Sequence, residues 1–240
     1  MNPLVRLAGI RRTYRLEGGR GVDVLKGIDL LIHPGDYLAL MGPSGSGKST
    51  LMHVIGCLDR PDGGDYHLDG QDILALDDDR LSRLRGGRLG FVFQSFNLIP
   101  QMDLIENVAL PLLYSGGNLN DQRARAVAAL ERVGLGHRLD HRPTQLSGGE
   151  QQRAAIARAL VTDPLMLLGD EPTGNLDTRT GGEIMGLFAD LNAKGLTILL
   201  VTHDPEVAAA TRRTIRMRDG LLAEDVVNAT ASASAESSGA

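Results

Sequence analysis

Lys48 is one of only three lysines in the chain, with Lys26 and Lys194, and it directly follows the third of three closely spaced glycines in "MGPSGSGKST", Met41 to Thr50. The flanking residues read as a strand, "DYLAL", and a helix, "KSTLMHVIGCL", which leaves Gly42, Gly45 and Gly47 in the turn between them. Such a turn curls the backbone so that successive N–H groups converge, and the helix that follows offers the positive end of its dipole. This is chemistry for phosphate. Lys48 can reach outer phosphates as a point charge, and the Ser49 hydroxyl is placed to ligate magnesium.

A second group of candidates is acidic. "LMLLGDEP" sets Asp170 and Glu171 at the end of an apolar strand, the edge of a parallel sheet where ligands bind. Asp170 suits magnesium, directly or through water, while Glu171 would orient or deprotonate the water that attacks a γ-phosphate. The third group is "LSGGEQQRAAIARAL", in which Ser147 and Glu150 have capping-box spacing. A helix starting there would present free N–H groups, and its glycines would allow close approach. One chain with two anion-binding helix starts suggests that two copies share each nucleotide.

The elements that must position these groups follow from the pattern. "LVRLAGIRRTY" and "VDVLKGIDLLI" alternate as strands around an "LEGGRG" turn, "GGDYHLDG" reads as a short strand, and helix begins at Asp77. "LGFVF" is a buried strand, residues 95–161 are mostly helical, and "LMLLGDEP", a helix over 178–192, "LTILLVTHD" and a hairpin at Asp219-Gly220 complete the chain. Strands alternating with helices imply an α/β fold with a mainly parallel core sheet, an N-terminal antiparallel β-subdomain and an inserted helical subdomain. The expected division is a nucleotide-binding core over 1–94 and 162–226, a helical subdomain over 95–161 and a disordered tail over 227–240, where "NATASASAESSGA" is small, polar and unpatterned.

Composition narrows the function classes. The 240 residues leave no room for two nucleotide domains, and 30 acidic against 25 basic residues give a net charge of −5, with no polyelectrolyte signal for nucleic acid. Cys57 is the only cysteine, expected as a buried thiol in a reducing compartment. With no apolar run of membrane-spanning length, the chain is expected to be soluble by itself and recruited if it acts at a membrane.

In this order the motifs resemble the nucleotide-binding subunit of ATP-binding cassette (ABC) transporters over about Leu4 to Asp225. "GPSGSGKST" (Gly42, Pro43, Ser44, Gly45, Ser46, Gly47, Lys48, Ser49, Thr50) is similar to the Walker A loop, "LMLLGDE" to Walker B and "LSGGEQ" to the family signature. Gln94 falls in the Q-loop, Asp177 in the D-loop "NLD", and His203 at the switch histidine. The subfamily motifs "GCLDRP", "GFVFQSFNLIP" and "DEPTGNLD" resemble the ATPases of macrolide-exporter and lipoprotein-releasing systems. Two residues depart from the pattern: Gly169, where alanine is usual, and Glu150, where glutamine is frequent.

The resemblance implies an ATPase using ATP and Mg2+, a head-to-tail homodimer on ATP binding, and an integral membrane permease-type partner that holds the subunit at the inner face of the cell membrane. It further implies that Tyr14 stacks on adenine, Gln94 ligates magnesium and senses the membrane partner, and His203 contacts the γ-phosphate. Ser147, Gly149 and Gln151 would contact the nucleotide of the other subunit. A DNA-repair or translation ATPase would need a second cassette, coiled coils or basic arms, and a kinase would leave "LSGGEQ" without a use. In the stretch after Gln94, helical spacing assigns Leu104, Val108 and Leu112 to the core, while Phe96 and Leu98 are expected to line a groove for a short helix of the partner.

Overall fold

The computed structural model describes residues 2–15, 21–114 and 118–228. By compactness it falls into two units, residues 1–81 with 197–240, and residues 82–196.

In the first unit, β1 (Val5–Arg15), β2 (Gly21–Ile32), β4 (Gly63–Leu68) and β5 (Gln71–Asp72) form an antiparallel sheet in the order β2-β1-β4-β5. Alternation in β1 sends Val5 and Leu7 inward, and a register shift after Leu7 lets Ile10 point inward as well. The same unit holds β3 (Tyr37–Met41), β8 (Thr197–Val201), β9 (Arg213–Arg218) and β10 (Leu221–Val227). β3 pairs in parallel with both β8 and β9, and β10 returns antiparallel to β9. "YLALM" and "TILLV" are buried at every position, as strands covered on both faces must be. α1 (Lys48–Ile55) follows β3, and α7 (Pro205–Ala209) follows β8.

α1 is shorter than "KSTLMHVIGCL" suggested. It is capped at Gly56, and Cys57 beyond it is left-handed, with φ 53°. The Tyr66 hydroxyl donates to the Ile55 carbonyl at 2.6 Å, which satisfies an acceptor at the helix end. Cys57 itself is buried, as expected.

α2 (Asp78–Arg88) crosses the boundary between the units. The second unit contains β6 (Leu89–Phe93) and β7 (Met166–Asp170), paired in parallel, and the helices α3 (Leu104–Ala109), α4 (Leu119–Arg132), α5 (Gly148–Leu160) and α6 (Thr178–Ala193), with short 3-10 turns at Leu110–Tyr114 and Pro143–Gln145. α5 is its central element: Ala154, Ala155, Ile156 and Ala157 are all fully buried, and the three alanines are small enough to let neighbouring elements approach. Leu104, Val108 and Leu112 are core residues, as their spacing indicated.

This division by compactness differs from the expected split into core and insertion, because β6, β7 and α6 cluster with the helices. β10 runs through Val227, and the Asn228 amide donates to the Ala208 and Thr211 carbonyls at 3.0 and 2.8 Å, so the ordered chain extends past residue 226. The rest of the expected tail, 229–240, lies outside the described residues, as does most of the "LEGGRG" turn. No helix among the described residues is long and apolar enough to cross a membrane.

Candidate functional site

In the first unit the phosphate-type loop leaves the carboxyl end of β3 and enters α1 at Lys48, with Gly47 as N-cap at φ 101°. Gly42 is obligatory on two grounds. Its φ is 150°, and a Cβ there would strike the Met217 carbonyl and lie 2.8 Å from Ser46 Oγ. The loop is tied down from both sides, by Ser46 N–H donating to the Pro43 carbonyl at 3.2 Å and by Gly220 N–H donating to the Ser46 carbonyl at 3.1 Å. Lys48 Nζ arches over it, donating to the carbonyls of Gly42 at 2.8 Å and Pro43 at 2.9 Å. Ser44, Gly45 and Ser49 are exposed on the loop and first helical turn, with Thr50 half-buried beside them.

His203 stands next to this loop. β8 matches β3 through Val201 and Leu40, Thr202 N–H donates to the Leu40 carbonyl at 3.2 Å, and the exposed His203 follows. Asp204 then caps α7, accepting from Glu206 N–H at 2.8 Å.

Tyr14 lies near the end of β1, in the antiparallel sheet, and is held more firmly than an ordinary strand aromatic. Its hydroxyl donates to Asp59 at 2.7 Å. Arg12 makes a bidentate pair with Asp59 at 2.9 and 2.7 Å, reaches Asp62 at 2.9 Å, and places its guanidinium 4.9 Å above the Tyr14 ring. That cation–π contact occupies one ring face. Arg12 and Asp59 were not singled out from the sequence; "GCLDRP" contains Asp59, but nothing in its spacing joins it to a tyrosine 45 residues away.

In the second unit Phe93 and Asp170 are register partners at the ends of β6 and β7, so Gln94, Asp170 and Glu171 emerge together at one sheet edge. Gln94 and Asn175 bond reciprocally: the Gln94 amide donates to Asn175 Oδ1 at 3.1 Å, and the Asn175 amide donates to the Gln94 carbonyl at 3.0 Å. Asn175 thus orients Gln94. Glu171 has φ 45°, a left-handed conformation that costs energy for a non-glycine residue and concentrates at functional positions.

α5 starts as its letters specify. The Ser147 hydroxyl accepts from Glu150 N–H at 3.3 Å, and Ser147 N–H and hydroxyl both donate to Glu150 Oε2 at 2.9 Å. The backbone bond from Ser147, its hydroxyl and nearby Arg138 hold the Glu150 carboxyl below the usual carboxylate range. Glutamate therefore serves the capping role here in place of glutamine. A Cβ on Gly149 would collide with Thr180 Cγ2, so the signature glycine is what lets α5 meet the start of α6. There Asp177 is the N-cap, accepting from Thr180 N–H at 3.0 Å and its hydroxyl at 2.6 Å. The Gln151 amide donates to the Leu146 carbonyl at 3.1 Å. Phe96 and Leu98 are half-buried, and the Phe96 ring tip lies 3.8 Å from where a Gly148 Cβ would sit, against the helix start.

Each unit therefore gathers its own part of the expected set: the loop and His203 at neighbouring strand ends in the first, with Tyr14 on a separate sheet; Gln94, Asp170 and Glu171 at one strand edge in the second, with Ser147, Gly149, Gln151 and Asp177 at two helix starts. Among the described residues, no group of three or more His, Cys, Asp or Glu side chains could hold a metal unaided.

Comparison with known proteins gives the family. A family model described as "ABC transporter" matches residues 25–174. The chain is 56% identical over 222 residues to the macrolide export ATP-binding/permease protein MacB of Syntrophobacter fumaroxidans, covering 91% of this chain but 31% of that protein, so it spans about a third of that relative's length. It is 52% identical to the uncharacterized ABC transporter ATP-binding protein YknY of Bacillus subtilis, covering 90% of this chain and 94% of the other. Among solved structures, the dimeric post-hydrolysis state of the ATP-binding cassette MJ0796 bound to ADP and Pi is 42% identical, with TM-score 0.84 over 93% of this chain and 98% of that one. With a family model over more than half of its length, a relative 52% identical over nearly the whole of both chains and a cassette of the same fold at 42% identity, the chain belongs to the ABC transporter family and is one of its ATP-binding cassettes.

Proposed function

We propose that the chain is the ATP-hydrolysing motor subunit of a membrane complex, in which two copies close head to tail on two nucleotides and drive a conformational change in an integral membrane partner. The carrying observation is that the chain builds two phosphate-seeking helix starts, at Lys48 and at Ser147, on separate compact units. The loop Gly42–Thr50 takes the phosphates of one nucleotide, with Lys48 on the outer phosphates, and Tyr14 stacks the base on the ring face opposite Arg12. Ser147, Gly149, Gln151 and Asp177 face the nucleotide held by the other copy.

Glu171 is proposed as the base that orients and deprotonates the attacking water, and His203 as the γ-phosphate contact. Ser49, Gln94 and Asp170 are hard oxygen donors of the kind magnesium accepts, and the lack of a carboxylate cage among the described residues fits a cation held mainly by phosphate and water. When bound, magnesium would neutralise charge developing on the phosphates. Support for hydrolysis and dimerisation comes from the MJ0796 cassette, dimeric with ADP and Pi. Support for a membrane partner, and for a location at the inner face of the cell membrane, comes from relatives whose single chain is named as both ATP-binding and permease protein. In this complex the helical stretch 95–161 carries the signature, and Phe96 and Leu98, both half-buried, are proposed to line the groove that takes the partner's helix.

The test is solution mass. The chain should be monomeric without nucleotide and dimeric when ATP is added under conditions that block hydrolysis, and ADP should not sustain the dimer. A mass unchanged by ATP would remove the shared-site reading.

A further inference from the structure

Glu171 sits in an awkward place. It is left-handed at φ 45°, and it precedes Pro172, whose ring restricts the residue before it. Two unfavourable conditions coincide on one residue, so the turn needs holding from outside. One hold is local, Gly174 N–H donating to the Glu171 carbonyl at 3.0 Å. The other comes from 20 residues away: Gln152 Nε2 donates to the Pro172 carbonyl at 2.5 Å.

Gln152 is fully buried on α5. Its Oε1 accepts no hydrogen bond among the described residues, so there the amide is held by its donor alone. It follows Ser147 and Gly149 by five and three positions on one continuous helix, and a helix moves as a rigid rod over so short a span. A shift of the helix start is therefore carried to the Pro172 carbonyl, and from there to the backbone that aims the Glu171 side chain.

We propose that Gln152 is a positioning residue, whose donation to the Pro172 carbonyl sets the aim of the Glu171 carboxylate and couples it to whatever engages the start of α5. This rests on the reading of Glu171 as base. In that reading the nucleotide bound by one copy, pressing on Ser147 and Gly149 of the other, adjusts the other's base through one hydrogen bond.

The full chain is compared as wild type, Gln152→Met and Gln152→Asn, each also combined with Glu171→Gln, by steady-state ATPase kinetics, direct ATP affinity and melting temperature. Methionine keeps the volume, and removing the unpartnered Oε1 offsets part of the cost of leaving the Pro172 carbonyl without its donor, so the variant should still fold; asparagine is one methylene too short to reach. Both should lower kcat by about ten- to a hundredfold, the cost of a misplaced reacting group, with KM and ATP affinity held within about twofold. Neither should further lower the residual rate of Glu171→Gln. Unchanged kcat in either variant overturns the proposal, and so does a loss that tracks weaker ATP binding or a much lower melting temperature, since the amide would then be merely structural. If Glu171→Gln itself turns over normally, the base assignment fails first, a result separable from failure at Gln152.

Discussion

Replacing Glu171 with glutamine should leave ATP binding intact and lower turnover by about 10²- to 10⁴-fold, the range attributed to a positioned general base. The amide matches the carboxylate in shape and can still adopt the left-handed turn before Pro172, but it cannot accept a proton from water. The companion result is accumulation of an ATP-loaded dimer, because closure is retained while the step that reopens it is lost. ATPase rate, nucleotide affinity and solution mass on one preparation check all three. Turnover near the wild-type rate would remove Glu171 from the role of base.

Lys48→Ala should act at an earlier stage. In the structure Lys48 Nζ rests on the Gly42 and Pro43 carbonyls, spanning the loop it would close over a nucleotide. Hydrogen bonds to charged groups contribute about 1.5–3 kcal/mol each, so losing the ammonium should weaken ATP binding by about ten- to a hundredfold. The loop's own shape depends on Gly42 and its ties to Pro43 and Gly220 rather than on Lys48, so the variant should fold. Titration calorimetry with ATP measures the effect directly. Unchanged affinity would contradict the reading of "GPSGSGKST" as the phosphate cradle.

Much of this was legible from local letters. A buried strand, a glycine turn and a helix specify the loop and its Lys48; Ser147 and Glu150 specify their capping box; and α6 ends within a residue of its expected limit. What stayed hidden depends on contacts far apart in sequence or on the sign of a backbone angle. Arg12 and Asp59 meet around Tyr14 across 47 and 45 residues. Arg158 donates to the Phe96 and Asn97 carbonyls across 62 and 61 residues, and both of those residues are left-handed although neither is glycine. This clamp explains why "SFNLIP" is not simply a helical lead-in: the chain is held in a tight turn, and Phe96 faces the signature helix start. The end of α1 was misjudged for the same reason, since Tyr66, which satisfies the Ile55 carbonyl, belongs to another strand.

The central claim is that each nucleotide is shared by two copies of the chain, and a mixed dimer tests it most directly. One chain carries Lys48→Ala and the other Ser147→Arg, with ATP occupancy counted per dimer at a concentration that saturates wild-type sites. If loop and signature come from opposite chains, both lesions fall on one site and the other remains fully wild type. The dimer should then bind one ATP at wild-type affinity. Two equally damaged sites, with no wild-type affinity remaining, would mean that Ser147 serves the nucleotide of its own chain and would contradict the account.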